Sequence, residues 1–304
     1  MSWLIIPTVC LMAAAVLWKY SSLILVPEIL SSVNLPFMFG LVYEKVSFRA
    51  ADGARLSGWW IPARSGVSDK TIVCCHGWGT NSGDVLPFTW YLADEGFNLF
   101  YFDFRGCGES PRHGLSSLGF YETRDFSAAL QWLRTTHPER CRFLGVYALS
   151  MGAVVGLNAA SRPEGRTIAA IAAEAPFLSF RRTLSRYIGF HYGLPAFPFA
   201  WLYTALLYLR TALADHEGAS PVNTARRFKA SALLLIYGDR DYLAWPSDGR
   251  AIERIVNQQM PGKARLWLVP GADHAECFDR MPQVYRQKLT AFFKAALPVS
   301  AVSP

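Results

Sequence analysis

The stretch Phe143-Leu-Gly-Val-Tyr-Ala-Leu-Ser150-Met-Gly-Ala-Val-Val-Gly-Leu-Asn-Ala-Ala160 decides the fold. Its first half is an unbroken apolar run, the pattern of a strand buried on both faces of a parallel sheet. Its second half, from Ala153 to Ala160, reads as a helix. A serine between strand and helix occupies a sharp, strained turn, and the residues two positions to either side must be small for the two elements to approach. Gly152 meets that demand and Ala148 stands on the other side. Such a turn lifts the Ser150 hydroxyl clear of the sheet and aims a helix N-terminus at the same point, so the N–H of Met151 becomes an oxyanion donor. A small-x-Ser-x-small string is weak by itself; its surroundings decide what it means.

Outward from this point, strands and helices alternate. Apolar runs at Thr71–Cys75, Phe97–Phe102 and Ile168–Ala173, and later at Ala232–Tyr237 and Arg265–Val269, read as buried parallel strands. Tyr43 to Phe48 and Arg55 to Ile61 flank an Asp52-Gly53 turn and read as a hairpin. Phe126, Ala129, Leu130 and Leu133 recur at i, i+3, i+4 and i+7 within a helix over 120–135; Ala251–Gln258 and Val284–Ala296 read likewise. The expectation is an eight-stranded, mostly parallel α/β sheet flanked by helices. About residues 177–227 interrupt the alternation with Pro195, Pro198 and Pro221 and many aromatics. That length without a strand predicts a helical cap, with a second membrane span within Phe199–Leu213 as the alternative.

Three more positions fall at C-terminal strand ends, the side on which an open parallel sheet binds ligands. His76-Gly77-Trp78-Gly79 is a glycine-rich turn able to offer the N–H of Trp78 as a second oxyanion donor. Leu233–Tyr237 leads into Gly238-Asp239-Arg240-Asp241, and the last strand leads to Asp273-His274. Asp239 and the more distant Asp248 compete with Asp241 for the acid, and the order Ser, Asp, His along the chain suits this fold. Phe177, Phe180, Phe197 and Trp201 are candidates for an acyl pocket or for packing within the cap. The six cysteines form no C-x-x-C unit and no zinc spacing, so no metal or cofactor is expected.

From Tyr43 to about Leu297 the chain resembles the α/β-hydrolase superfamily, and more narrowly the membrane-anchored, serine-aminopeptidase-like hydrolases. Asp52-Gly-Ala-Arg-Leu-Ser-Gly-Trp59, Asp103-Phe-Arg-Gly-Cys-Gly-Glu-Ser110, and Glu122 with Asp125 carry the likeness together with the serine turn. The departures are Ala148 for glycine, and Tyr237-Gly238 where His-Gly is frequent. The resemblance implies Ser150 as nucleophile, His274 as general base and Asp241 as the orienting acid, the family's Gly-x-x-Asp spacing favouring Asp241 over Asp239. The reading is a serine hydrolase that cleaves carboxylic esters, and the apolar cap and the anchor point to an acyl or lipid-like substrate. An aminopeptidase or thioesterase on the same triad is the alternative, and a silent membrane-anchored binding protein the rival of another class. An aminopeptidase requires an acidic group near the pocket, for which Glu174 is a candidate.

Trp3 to Trp18 is an uncharged run of sixteen residues. As a helix it spans ~24 Å, and Leu23–Pro27 beyond Lys19 extends it to the ~30 Å of a bilayer core. A transmembrane anchor over 1–26, a linker over 27–42 and a hydrolase domain over 43–298 follow. A cleaved signal peptide lacks its positive n-region here, and a core helix would be amphipathic. Lys19, Lys45 and Arg49 follow the run and none precedes it, which sets the domain on the cytoplasmic side. Lys and Arg number 30 against 23 Asp and Glu, but no basic run or stripe with interleaved aromatics appears, so nucleic acid is not an expected partner.

Overall fold

Eight segments pair into one sheet: β1 (Glu44–Arg49), β2 (Arg55–Ile61), β3 (Lys70–Cys75), β4 (Asn98–Phe102), β5 (Phe143–Leu149), β6 (Ile168–Glu174), β7 (Leu233–Gly238) and β8 (Ala264–Val269). The computed structural model describes residues 21–211 and 220–297, with Pro7, Thr8, Met12, Ala15, Trp18 and Lys19 ahead of them. The strand order is β1-β2-β4-β3-β5-β6-β7-β8. β2 pairs antiparallel with β1 and β4, and all other pairings are parallel. β4 and β7 are buried at every residue, which is why their sequences do not alternate and, apart from Asn98, carry no strongly polar side chain.

Helices cover both faces. α1 (Ser82–Thr89) and α9 (Pro282–Ala296) pack on one face through Val85, Leu86, Tyr285, Leu289 and Phe293. α2 (Phe120–Thr136), α3 (Met151–Ser161) and α7 (Pro246–Gln259) pack on the other; Phe126, Ala129, Leu130 and Leu133 form the predicted stripe of α2. A four-residue helix, α8 (Cys277–Arg280), precedes α9. The cap lies between β6 and β7 and consists of α4 (Phe180–Tyr192), α5 (Ala196–Arg210) and the short α6 (Pro221–Ala225). It is pinned to the sheet domain by Arg186 of α4, which pairs with buried Asp248 at 2.6 Å and lies 4.1 Å over the Trp245 ring.

The expected N-terminal span finds no support. Among the described residues no helix is long and apolar enough to cross a membrane, and most of the run 3–18 lies outside them. Leu23–Pro27 does not extend such a span, because it packs on the protein itself. Leu25 is 1% exposed in a cluster with Leu184, Ile188, Ala200 and Leu207 of the cap. The carbonyls of Leu25 and Pro27 accept from Ser116 N–H (2.8 Å) and the Arg112 guanidinium (2.7 Å). Leu25 and Pro27 of this segment are thus buried against α4, α5 and the loop before α2, while Leu23 stays exposed.

Candidate active site

Ser150 joins β5 to α3 with φ +52° and ψ −111°, a conformation that an L-residue adopts only when its surroundings enforce it. Two contacts enforce it. The Ser150 N–H donates to the Glu174 carbonyl of the neighbouring strand at 2.8 Å, and the Ser150 carbonyl accepts the first helical bond from Val154 at 3.1 Å. Gly152 allows the approach: a Cβ there would lie 2.5 Å from the His76 carbonyl and 2.7 Å from that of Cys75. Ala148 is tolerated because its methyl faces Gly156 on α3.

His274 bridges the other two residues. Its Nδ1 lies 2.8 Å from Asp241 Oδ2 and its Nε2 lies 3.0 Å from Ser150 Oγ. A carboxylate only accepts, so Nδ1 carries the proton and Nε2 is free to accept from the serine hydroxyl. Asp241 is buried, and its other oxygen accepts from the N–H groups of Leu243 (2.8 Å) and Ala244 (2.7 Å). Gly238 lets the two loops meet, since a Cβ there would lie 2.2 Å from the Ala272 carbonyl. The competing acids are engaged elsewhere. Asp239 is exposed and accepts from Gly271 N–H at 2.7 Å, while Asp248 holds Arg186.

Met151 begins α3, so its N–H has no acceptor within the helix and lies beside Ser150. The turn that carries Trp78 runs close by; a Cβ on Gly77 would lie 3.6 Å from Ser150 Cβ. Buried His76 fixes that turn. Phe104 N–H donates to its Nε2 (3.0 Å) and its Nδ1 donates to the Gly77 carbonyl (2.7 Å). Burial lowers its pKa, which keeps the ring neutral for both bonds. Arg105 braces the neighbouring loops, bound to Asp125 at 2.6 Å and Asp52 at 2.8 Å. Burial pushes the Cys107 thiol up to about 12, so it is no rival nucleophile.

An apolar pocket of about 110 Å³ lies over Ser150, walled by Met151, Trp78, Phe177, Phe180 and Leu184. Ile24 completes the wall, and its carbonyl accepts from the Trp78 indole at 2.9 Å. Sequence reasoning missed Ile24 because it stands inside an apolar stretch that reads as membrane anchor. Phe197 and Trp201 are neither pocket nor packing residues: both are exposed. Glu174 lies fully buried beneath the site, its Oε2 accepting from Tyr147 (3.1 Å) and Tyr285 (2.5 Å). Burial raises its pKa. Among the described residues no group of three or more His, Cys, Asp or Glu is arranged to hold a metal ion.

Comparison with known proteins agrees with this fold. A family model described as serine aminopeptidase, S33, matches residues 66–205. The chain is 29% identical over 260 residues to the uncharacterized protein YfhR of Escherichia coli K12, covering 84% of this chain and 81% of that one. It is 26% identical over 251 residues to the uncharacterized protein YqkD of Bacillus subtilis, covering 82% and 79%. Among solved structures, the esterase Pf2001 of Pyrococcus furiosus superposes with a TM-score of 0.76 at 25% identity, over 90% of this chain and 99% of that one. The acylaminoacyl peptidase of Pyrococcus horikoshii shares the fold, with a TM-score of 0.67 at 16% identity over 88% of this chain and 44% of that one.

Proposed function

The chain belongs to the α/β-hydrolase superfamily and is an enzyme of that type, and we propose that it is a carboxylic ester hydrolase working through Ser150, His274 and Asp241. In this reading Ser150 Oγ attacks the ester carbonyl carbon while His274 Nε2 takes the hydroxyl proton. The negative charge moves to the carbonyl oxygen, which the N–H groups of Met151 and Trp78 receive. Asp241 holds the imidazole and balances its cation. The tetrahedral intermediate collapses, the alcohol leaves with the proton from His274, and the acyl group stays on Ser150. Water, deprotonated by His274, then releases the carboxylic acid and restores the serine.

The observation that carries an ester over an aminoacyl substrate is the pocket wall. Among the described residues lining it there is no carboxylate to hold an α-ammonium group. Glu174, the candidate for that task, is sealed below the site and engaged by two tyrosines. About 110 Å³ is also small beside the ~300–1,000 Å³ of typical ligand pockets, which favours a short acyl chain or the reactive end of a longer one. On the sequence alone, the uncharged run at 3–18 supports attachment to a membrane, with the domain on the cytoplasmic side.

The test is a panel of p-nitrophenyl acetate, butyrate and octanoate beside a butyryl thioester and aminoacyl p-nitroanilides, with fluorophosphonate labelling of the full chain. Ester turnover well above aminoacyl turnover, and labelling abolished by Ser150→Ala, are expected. Faster aminoacyl cleavage, or labelling that survives the substitution, would overturn the proposal.

A further inference from the structure

The cap carries a surface that the sheet domain does not explain. α5 is apolar on all sides, yet only Ala200, Thr204 and Leu207 are buried, as one stripe against α4 and Leu25. At 100° per residue Trp201, Leu202, Ala205 and Leu209 fall together on the opposite side, and all four are exposed. Trp201 is 54%, Leu202 49% and Leu209 64% exposed, and Phe197 just ahead of them is 74% exposed. A helix without a polar face is found inside a core or against lipid. Grouped exposed apolar side chains of this size mark an interaction site.

Charge identifies the occupant. From Pro176 to Thr211 there is no Asp or Glu, whereas Arg181, Arg182, Arg186 and Arg210 are all present. Arg186 is spent on Asp248, but Arg181 and Arg182 are exposed, and the Arg181 guanidinium lies 4.2 Å over the Trp201 ring. Arginine and tryptophan beside an apolar helix face, with no acid among them, suit the headgroup boundary of an anionic bilayer. The chain's own course points the same way. Trp18, the last residue of the uncharged run 3–18, offers its carbonyl to Arg210 at 3.0 Å and lies 4.4 Å from that guanidinium, at the C-terminal end of α5. The most apolar stretch of the sequence therefore joins the protein at the edge of this face.

We propose that the outer face of α5, with Phe197, Trp201, Leu202 and Leu209, seats in the interfacial layer of an anionic membrane, and that the chain approaches lipid cap-first. The inner side of α4, which packs on α5, lines the pocket over Ser150 through Phe180, Leu184 and Tyr187. The axis of α4, which walls the pocket, thus stands about one interhelix distance, ~8–10 Å, from that of α5. Resting on the esterase reading, it follows that the ester arrives from the lipid side.

The experiment uses the full chain with Cys10→Ser and an environment-sensitive fluorophore on Leu202→Cys, or on Glu139→Cys at the far end of the sheet. The described native cysteines are all buried. Vesicles contain phosphatidylcholine and phosphatidylglycerol in equal parts, with or without a spin-labelled lipid quenching at headgroup depth. Emission from position 202 should fall by roughly half and that from 139 should not change, as expected for a face embedded ~5–10 Å. Equal quenching at both positions, or at neither, would overturn the proposal. So would a fluorophore at 202 already shielded in lipid-free buffer with a dimer's mass in sedimentation, which would make the face a contact between copies. Quenching needs no turnover, so an inactive protein does not decide this test. Trp201→Ser with Leu202→Ser should lower turnover of a vesicle-borne ester about tenfold more than that of a water-soluble one, a contrast that a merely destabilised cap would not produce.

Discussion

Replacement of Asp241 by Asn tests the hydrogen-bond chain at its most constrained point. Asp241 Oδ1 accepts two backbone N–H groups, at 2.8 and 2.7 Å, while Oδ2 faces His274 Nδ1 at 2.8 Å. An asparagine must therefore keep its carbonyl oxygen on the Leu243 and Ala244 amides. The opposite orientation would set its NH₂ against two donors and leave both unpaired, at about 1–3 kcal/mol each in a buried site. With the amide so fixed, its NH₂ points at His274 and the ring must accept at Nδ1. The proton moves to Nε2, and the ring can no longer take one from Ser150. An inverted tautomer of this kind costs about 10⁴ in kcat, roughly 5.5 kcal/mol of barrier. The assay is turnover of p-nitrophenyl butyrate, with thermal unfolding to show that the fold survives. A loss of less than about tenfold in a folded Asp241→Asn protein would refute the assignment. Asp239→Asn is the control: its carbonyl can keep the Gly271 amide, so turnover should fall by no more than about threefold.

Ser150→Gly should abolish turnover and raise stability by about 1 kcal/mol, because glycine relieves the positive φ; a lower melting temperature would contradict the strain. Gly152→Ala should destabilise the protein by about 1–3 kcal/mol and slow it, since the added methyl meets two backbone carbonyls, and an unchanged unfolding midpoint would contradict that packing. Ile24→Ala should widen the pocket and raise the kcat/KM ratio of octanoate to butyrate roughly tenfold; an unaltered ratio would remove Ile24 from the wall. Glu174 holds its proton more tightly in the fold than in the unfolded chain, so its stabilising contribution is complete below the ordinary carboxyl pKa and is lost as pH rises through the elevated one. Glu174→Gln lacks that dependence, so its stability relative to wild type should increase with pH above about 4.5 in denaturant titrations, and a flat difference would refute the shift.

The strands were legible because a two-faced sheet demands continuous apolar runs, and few other environments do. The serine turn was legible because strand-to-helix reversal restricts residues at fixed spacing around Ser150. Asp241 was harder to separate from Asp239 by residue type alone. What distinguishes them is the pair of amides at Leu243 and Ala244, and those depend on a loop conformation. The cap's aromatics were ambiguous for another reason. Phe177 and Phe180 face Ser150 whereas Phe197 and Trp201 face outward, and their identities are interchangeable until α4 and α5 are oriented. Ile24 was hidden by its company, because hydropathy does not distinguish a residue that enters lipid from one that closes a pocket.

That ambiguity bears on how the site is assembled. Trp78 contributes a backbone N–H to the proposed oxyanion site from a turn fixed internally by His76 and externally by the bond from its indole to Ile24. Leu25, the next residue, is buried among Leu184 and Ile188 of the helix that roofs the pocket. The segment 21–27 therefore touches both the floor and the roof over Ser150, and it enters from Trp18 at the end of α5. A displacement of the cap relative to the sheet domain must strain or break the Ile24 and Arg186 contacts together. Because Ile24 and Leu243, whose carbonyl accepts from Arg186, both line the pocket, access to Ser150 and alignment of the Trp78 turn are mechanically linked. Whatever holds the N-terminal segment in place thereby also holds the catalytic geometry.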